Sequence, residues 1–313
     1  MTIGIGAFGP NAGQAVFNAL RAAERIGTGA IGGFATFAAI TADGRAVFAV
    51  TQRGGSVTAF TEGETTGVEP PADFATARIA AVISSGPDRP GDLTRFIPID
   101  PAVGLVTGHR IPPSRGTNGK PMNADALERL QGGLSCEQAV RAVIDATPEA
   151  DCGLICIDLA GGVACANTAR VLRRPDVSVA LRRDAQTGAA VAVLHNAIRP
   201  YQAVADLAAA IAIDTMTADL GPKGWVTLSA GTTIGMGAEN AVFCDAEGRS
   251  LRVTTTDPSI GIRGELGAAV YLASAVYLGD LQVGHTIFEP ITTIENGRII
   301  AFSGKKELRM SYH

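Results

Sequence analysis

The chain predicts an α+β fold in which two antiparallel sheets stack on each other and are covered outside by helices, an αββα sandwich with an internal hairpin repeat. Three observations lead there. Hairpins recur along the chain, with helical segments clustered between them. Many strands are near-continuous apolar runs, such as LICI at 154–157 and VAVL at 191–194, so both sheet faces are expected to be buried. The hairpin at 36–51, TFAAITADGRAVFAVT, is echoed without a gap 204 residues on. Gly27, Thr28, Gly33, Ala42, Gly44, Arg45 and Thr51 recur as Gly231, Thr232, Gly237, Ala246, Gly248, Arg249 and Thr255. Residues 1–313 read as one domain with two pseudo-repeated parts, about 1–150 and 151–313.

Residues 11–27 predict a helix, with Asn11 as cap, Gln14 three later, Val16, Ala19, Leu20 and Ala23 on one face, and Gly27 as its stop. The glycine-rich GTGAIGG leads into strands 35–41 and 46–51, whose Asp43-Gly44 pair supplies the tight turn. Residues 63–73 form a loop before a strand near 79–84, and strands 95–99 and 104–109 join through Asp100-Pro101. Segment 111–122, IPPSRGTNGKPM, is long, polar and irregular, the mark of a functional or mobile loop. Helix 124–131 stops at Gly132-Gly133, and Ser135 with Gln138 makes a capping box for helix 136–146. Hairpins 152–167 and 177–196 turn at Ala160-Gly161-Gly162 and at 184–188. Helix 200–220 carries Val204, Leu207, Ala208 and Ile211 on one face and stops at Gly221-Pro222. Strand 226–229 and the second Gly-Thr loop lead to hairpin 239–255. The stretch 266–278 is apolar nearly all round and predicts a buried helix. Hairpin 291–303 turns at Glu295-Asn296-Gly297, and the KKELRMSYH tail predicts a surface segment.

With 26 basic and 30 acidic residues, a net charge of −4 and no basic run longer than a pair, the chain shows no footprint for nucleic acid or an anionic membrane. The N-terminal MTIGIGAFGPNAG lacks the positive region of a signal peptide, and the apolar stretch 203–213 contains Asp206 and is too short to span a bilayer. Five cysteines, Cys136, Cys152, Cys156, Cys165 and Cys244, lie mostly inside apolar strand patterns, which predicts reduced, buried thiols in a cytoplasmic protein. They show no CxxC and no histidine spacing, so no metal is expected. GTGAIGG has neither dinucleotide nor P-loop order, so no nucleotide cofactor is expected either.

Thr36-Phe37 opens a strand, Asp43-Gly44 turns it, and the return strand ends in Ala49-Val50-Thr51-Gln52-Arg53. In that order the sequence resembles the N-terminal-nucleophile (Ntn) hydrolases, and more particularly a bacterial group of Ntn-like proteins without assigned activity. Residues 126–168 are similar again, a Gly-Leu-Ser capped helix leading into an Ile-Asp-x-x-Gly hairpin. Hairpin 152–167 also looks like the nucleophile strand of isoaspartyl-peptidase-type enzymes, with Asp151-Cys152 where a threonine would stand. The resemblance implies a hydroxyl or thiol that heads a strand, its own freed α-amine as base, and backbone or Asn donors for the oxyanion.

On that footing Thr36 is the leading nucleophile, requiring cleavage after Ala35, and Cys152 is the second. Thr28 and Thr232, in the two Gly-Thr loops, are candidates for a substrate or oxyanion pocket, and Arg53 for a carboxylate clamp. His109-Arg110 with Arg115 and Lys120 is a further basic cluster. Each has a plain structural counterpart: strand propensity for Thr36, thiol packing for Cys152 beside Cys156, tight turning for the Gly-Thr loops. The expected function is an amidohydrolase acting on a small or peptide-like substrate. The alternatives are a non-catalytic ligand-binding or oligomeric protein on the same fold, and a Ser-Lys amidase drawing on Ser84, Ser85 or Ser303 with Lys305. A homo-oligomer is favoured if a helix face proves apolar and exposed. In the repeat, Asn240 stands where Thr36 stands and Thr255-Thr256-Asp257 where Thr51-Gln52-Arg53 stands. The repeat therefore speaks for architecture, and any nucleophile belongs to the first copy.

Overall fold

A computed structural model describes residues 2–218, 222–259 and 265–313. The chain folds into two compact units, Met1–Ala218 and Asp219–His313. It is an α+β protein with several antiparallel sheets, and among the described residues no helix is long and apolar enough to cross a membrane.

The first unit opens on a strand that is not among the expected elements, β1 (Thr2–Phe8), followed by α1 (Ala12–Ile26). Next come β2 (Ala35–Ile40), β3 (Ala46–Thr51), β4 (Ile79–Ser85), β5 (Ile99–Asp100) and β6 (Gly104–Arg110). Helices α2 (Met122–Gln131) and α3 (Cys136–Ala146) precede β7 (Cys152–Asp158), β8 (Val163–Asn167), β9 (Val177–Arg183), β10 (Ala190–Asn196) and α4 (Tyr201–Thr217). The larger sheet runs β9-β10-β1-β4-β2-β3 and the smaller β8-β7-β6-β5, every pairing in both is antiparallel, and a short ribbon pairs Thr61–Glu62 with Thr65–Thr66.

Alternation along β1 sets the layers. Ile3, Ile5 and Ala7 pack with Val16 and Leu20 of α1 and Val204 and Ala208 of α4. The opposite face carries Gly4 and Gly6, and there a Cβ on Gly4 would collide with the Gly108 carbonyl, while one on Gly6 would lie 2.6 Å from Ile157. Glycine at these two positions lets the backbones of the two sheets close on each other. Ile83, Leu194, Leu105, Ile155 and Ile157 fill the space between the sheets. The outer face of the smaller sheet, with Val106, Leu154 and Cys156, is covered by Met122 and Leu127 of α2 and Val140 and Val143 of α3. Both faces of both sheets are thus covered, as the unbroken apolar runs predict.

The second unit is built from strands alone among its described residues. They are β11 (Gly224–Ser229), β12 (Thr233–Met236), β13 (Ala241–Cys244), β14 (Ser250–Thr255), β15 (Glu265–Gly267), β16 (Ala275–Leu278), β17 (Leu281–His285), β18 (Thr292–Glu295), β19 (Arg298–Phe302) and β20 (Glu307–Tyr312). Its larger sheet, β15-β18-β19-β12-β14-β13-β16-β17, includes two parallel pairings, β12 with β14 and β13 with β16, and β11 pairs with β20. A separate core of Val226, Val242, Val253, Ile299, Phe302 and Met310 holds it.

Several expectations change. The stretch 266–278 is not a helix: β16 occupies its end, and Ala273 takes a left-handed φ of 60° that interrupts any helical run. Its Val and Tyr residues suit a buried strand, and an apolar run has the same pattern in either state. The 95–99 strand is largely a 3₁₀ turn, Leu93–Phe96, capped by Asp92. The C-terminal tail is strand β20, with Met310 and Ser311 buried. Asn11 precedes α1 in a left-handed conformation and makes no side-chain cap, whereas the Ser135–Gln138 capping box forms as the spacing requires. Helix α4 ends at Thr217, and Gly221 of the expected stop lies outside the described residues.

The hairpin echo survives as a turn. Gly44 N–H donates to the Thr41 carbonyl and Gly248 N–H to that of Asp245, at 2.9 and 3.0 Å. Upstream the copies part: Gly27 ends a helix at φ −77°, while Gly231, at φ +97°, links β11 to β12.

Candidate functional site

Thr2 heads β1, the strand held between β10 and β4, opposite Asn196 on one side and Ser85 on the other. Its hydroxyl accepts the Arg110 backbone N–H at 2.7 Å and donates to Asn196 Oδ1 at 3.2 Å, and its own backbone N–H reaches the same Oδ1 at 3.2 Å. Asn196 is fully buried, and its Nδ2 has no hydrogen-bond partner. The two residues that close this arrangement, Arg110 at φ 64° and Ala197 at φ 57°, both sit in the left-handed region, a cost that side chains other than glycine rarely meet outside constrained sites.

Thr2, Ser85, Arg89, Arg95, Phe96 and Arg110 line a cavity of 340 Å³. Arg110 forms a two-pronged ion pair with Asp151, whose carboxyl the guanidinium holds below its ordinary range. Behind this cleft His109, fully buried, donates from Nε2 to Asn167 Oδ1 at 2.7 Å, and burial pushes its pKa down to about 4. His195 donates from Nε2 to the Tyr201 carbonyl at 2.8 Å and is likewise shifted down by burial. The Nδ1 atoms of both rings are buried without a partner, so each imidazole sits neutral inside the unit.

The residues singled out from sequence are dispersed. Thr36, second in β2, is fully buried between Val50 and Ile83, and its hydroxyl donates to the Leu93 carbonyl at 3.1 Å. Cys152 does head a strand, but it is fully buried, and burial together with Asp151 raises its thiol pKa so that the thiolate is suppressed. Thr28 is exposed and pairs through its backbone with Arg199. Arg53 is exposed and closes a two-pronged pair with Asp88. Thr232 lies buried in the second unit and exchanges hydrogen bonds with Ser229 and Ser250. In the polar 111–122 loop, Arg115 donates to the Gly119 carbonyl at 2.8 Å and Lys120 pairs with Glu128, so neither joins Arg110. All five cysteines are free thiols. Among the described residues no group of three His, Cys, Asp or Glu side chains is placed to hold a metal.

Thr2 is the functional candidate that sequence reasoning misses. Its signal is present: a hydroxyl residue heading T-I-G-I-G-A-F, where Ile3, Ile5 and Ala7 alternate with two glycines in a period of two. The segment has no turn at its start to mark it as a strand, and the Thr36 hairpin, flanked by an Asp-Gly turn, draws the assignment instead.

Comparison with known proteins follows the division into units. No curated protein matches the chain. Residues 231–307 match a family described as a domain of unknown function (DUF7259). Residues 2–225, which begin at Thr2 and take in the two larger sheets and helices α1 to α4 of the first unit, match the profile of a second family. By that match the chain belongs to the family described as a domain of unknown function, DUF6963.

Proposed function

We propose that the first unit is an amidohydrolase of the N-terminal-nucleophile kind, with Thr2 as the nucleophile in place of Thr36. The observation that carries this is the convergence of the Thr2 hydroxyl and the Thr2 nitrogen on one carboxamide oxygen, Asn196 Oδ1, at the wall of a cavity. The layer order helix, sheet, sheet, helix supports it, being the αββα arrangement that the Ntn resemblance implies, and so does the position of Thr2 at the head of an inner strand.

The chemistry needs the Met1–Thr2 bond cleaved, so that the nitrogen now held by Asn196 becomes a free amine. That amine takes the hydroxyl proton as Oγ1 attacks the substrate carbonyl, then passes it to the departing amine as the C–N bond breaks. Water attacks the resulting Thr2 ester as the amine takes its proton, and the amine returns that proton to Thr2 Oγ1 as the ester C–O bond breaks and the acid leaves. Asn196 Oδ1 holds the Thr2 nitrogen from behind, and the Arg110 N–H fixes the hydroxyl.

A panel of small amides, followed by release of primary amine, tests the assignment. Thr2→Ala is expected to lower hydrolysis by about 10³-fold or more, and Thr2→Ser to retain it. Thr36→Val is expected to leave hydrolysis within a few-fold while costing about 1–2 kcal/mol of stability for the lost bond to Leu93. Loss of hydrolysis in Thr36→Val with Thr2→Ala still active overturns the assignment. No hydrolysis by any form points to the non-catalytic alternative.

A further inference from the structure

We propose that the Thr2 cleft selects amides that carry a carboxylate, with Arg89 and Arg95 as the groups that bind it. In a chain of net charge −4, three guanidiniums line this one cavity, and only Arg110 is matched by a carboxylate, Asp151. Arg89 uses Nη2 on Ser85 Oγ at 2.9 Å and Nη1 on the Pro87 carbonyl at 3.0 Å, and stands 5.1 Å from the Phe34 ring centroid. Arg95 uses Nη2 on the Pro90 carbonyl at 2.7 Å and stands 5.4 Å from the Phe96 ring centroid. These partners are neutral, and among the described residues neither arginine forms an ion pair. Of the acids nearest in sequence, Asp88 pairs with Arg53 and Asp92 binds the Thr94 N–H and hydroxyl; each acts on its neighbouring arginine, Arg89 or Arg95, through space and without an ion pair.

Carbonyl and ring contacts hold both side chains in place while leaving N–H donors unused, so little ordering remains to be done when an anion arrives. A planar guanidinium matches the two oxygens of a carboxylate. Phe96, which lines the cavity beside Arg95, offers an apolar surface for the carbon chain that would join that carboxylate to the scissile amide at Thr2.

The amide half of this inference rests on Thr2 as nucleophile, and the carboxylate half is measured apart from it. Titration calorimetry on the full chain compares glutarate with its neutral diamide, glutaramide, and with inorganic phosphate. Glutarate is expected to bind at least tenfold more tightly than either, with an affinity that falls as salt rises. Arg89→Gln and Arg95→Gln are each expected to weaken glutarate tenfold or more, while Arg141→Gln, a charge removed from another cavity, leaves it unchanged. Should Arg89→Gln fail to fold, the exposed Arg95 carries the test alone. Thr2→Ala is expected to bind glutarate as the unsubstituted chain does. Equal binding of glutaramide, stronger binding of phosphate, or glutarate affinity indifferent to Arg95→Gln overturns the carboxylate inference and leaves Thr2 standing. Retained hydrolysis in Thr2→Ala beside selective glutarate binding overturns the nucleophile and leaves the anion site standing.

Discussion

At the scale of single residues, the first unit keeps polar groups where water does not reach. His109 is the clearest case: burial lowers its pKa from 6.5 to about 4, so the folded chain holds it neutral through the range in which the unfolded chain protonates it. The stability tied to the neutral ring is fully present above pH 6.5 and drains away as pH falls toward 4, amounting to about 3 kcal/mol across that window. A His109→Gln chain should therefore show a flatter fall in unfolding free energy between pH 6.5 and 4 in urea titrations. An unchanged slope would mean that the ring is not held neutral. Asp151 has the opposite character, a carboxylate kept charged by Arg110, and its contribution persists above the ordinary carboxylate range and is lost only at still lower pH. Thr36 and Cys152 look reactive in a linear sequence because each sits at or near the head of a strand. Yet one hydroxyl is spent on the Leu93 carbonyl and the other group is a thiol that burial keeps protonated.

Among the elements, β1 carries the greatest consequence. Gly4 faces the Gly108 backbone of the second sheet, so Gly4→Ala is expected to cost about 1–3 kcal/mol or more, measured by chemical denaturation. Gly235→Ala, where an added Cβ meets nothing within 4 Å, should stay within about 0.5 kcal/mol. Elements bounded by local chemistry are legible in the sequence: the Asp-Gly hairpin of β2 and β3, the hairpins β7–β8 and β9–β10, and the Ser135 capping box. Elements whose state is decided by distant packing are not. β1 has no turn before it, the 266–278 run is apolar in any conformation, and β20, paired with β11 along its length, is polar at its start and buried only from Met310 on. The site is hidden for the same reason. Its parts come from the head of β1, the end of β6 and the end of β10, positions 2, 110 and 196, which only sheet topology brings together.

For the molecule as a whole, the recurring hairpin marks a shared turn and no shared site. Its first copy lies in a six-stranded sheet covered by helices, and its second in a sheet of eight strands with parallel pairings and its own core. Among the described residues, every group that converges on Thr2 and every residue that lines its cavity belongs to the first unit. The proposed chemistry requires Thr2 to act from a free amine. Peptide mapping by mass spectrometry, after treating the full chain with an acylating β-lactone, measures this directly. A single acyl group is expected on a peptide that begins at Thr2, and none at that position in the Thr2→Ala chain. Acylation at Thr36 or Cys152, or a Thr2 still joined to Met1 in a chain that hydrolyses amides, would contradict it.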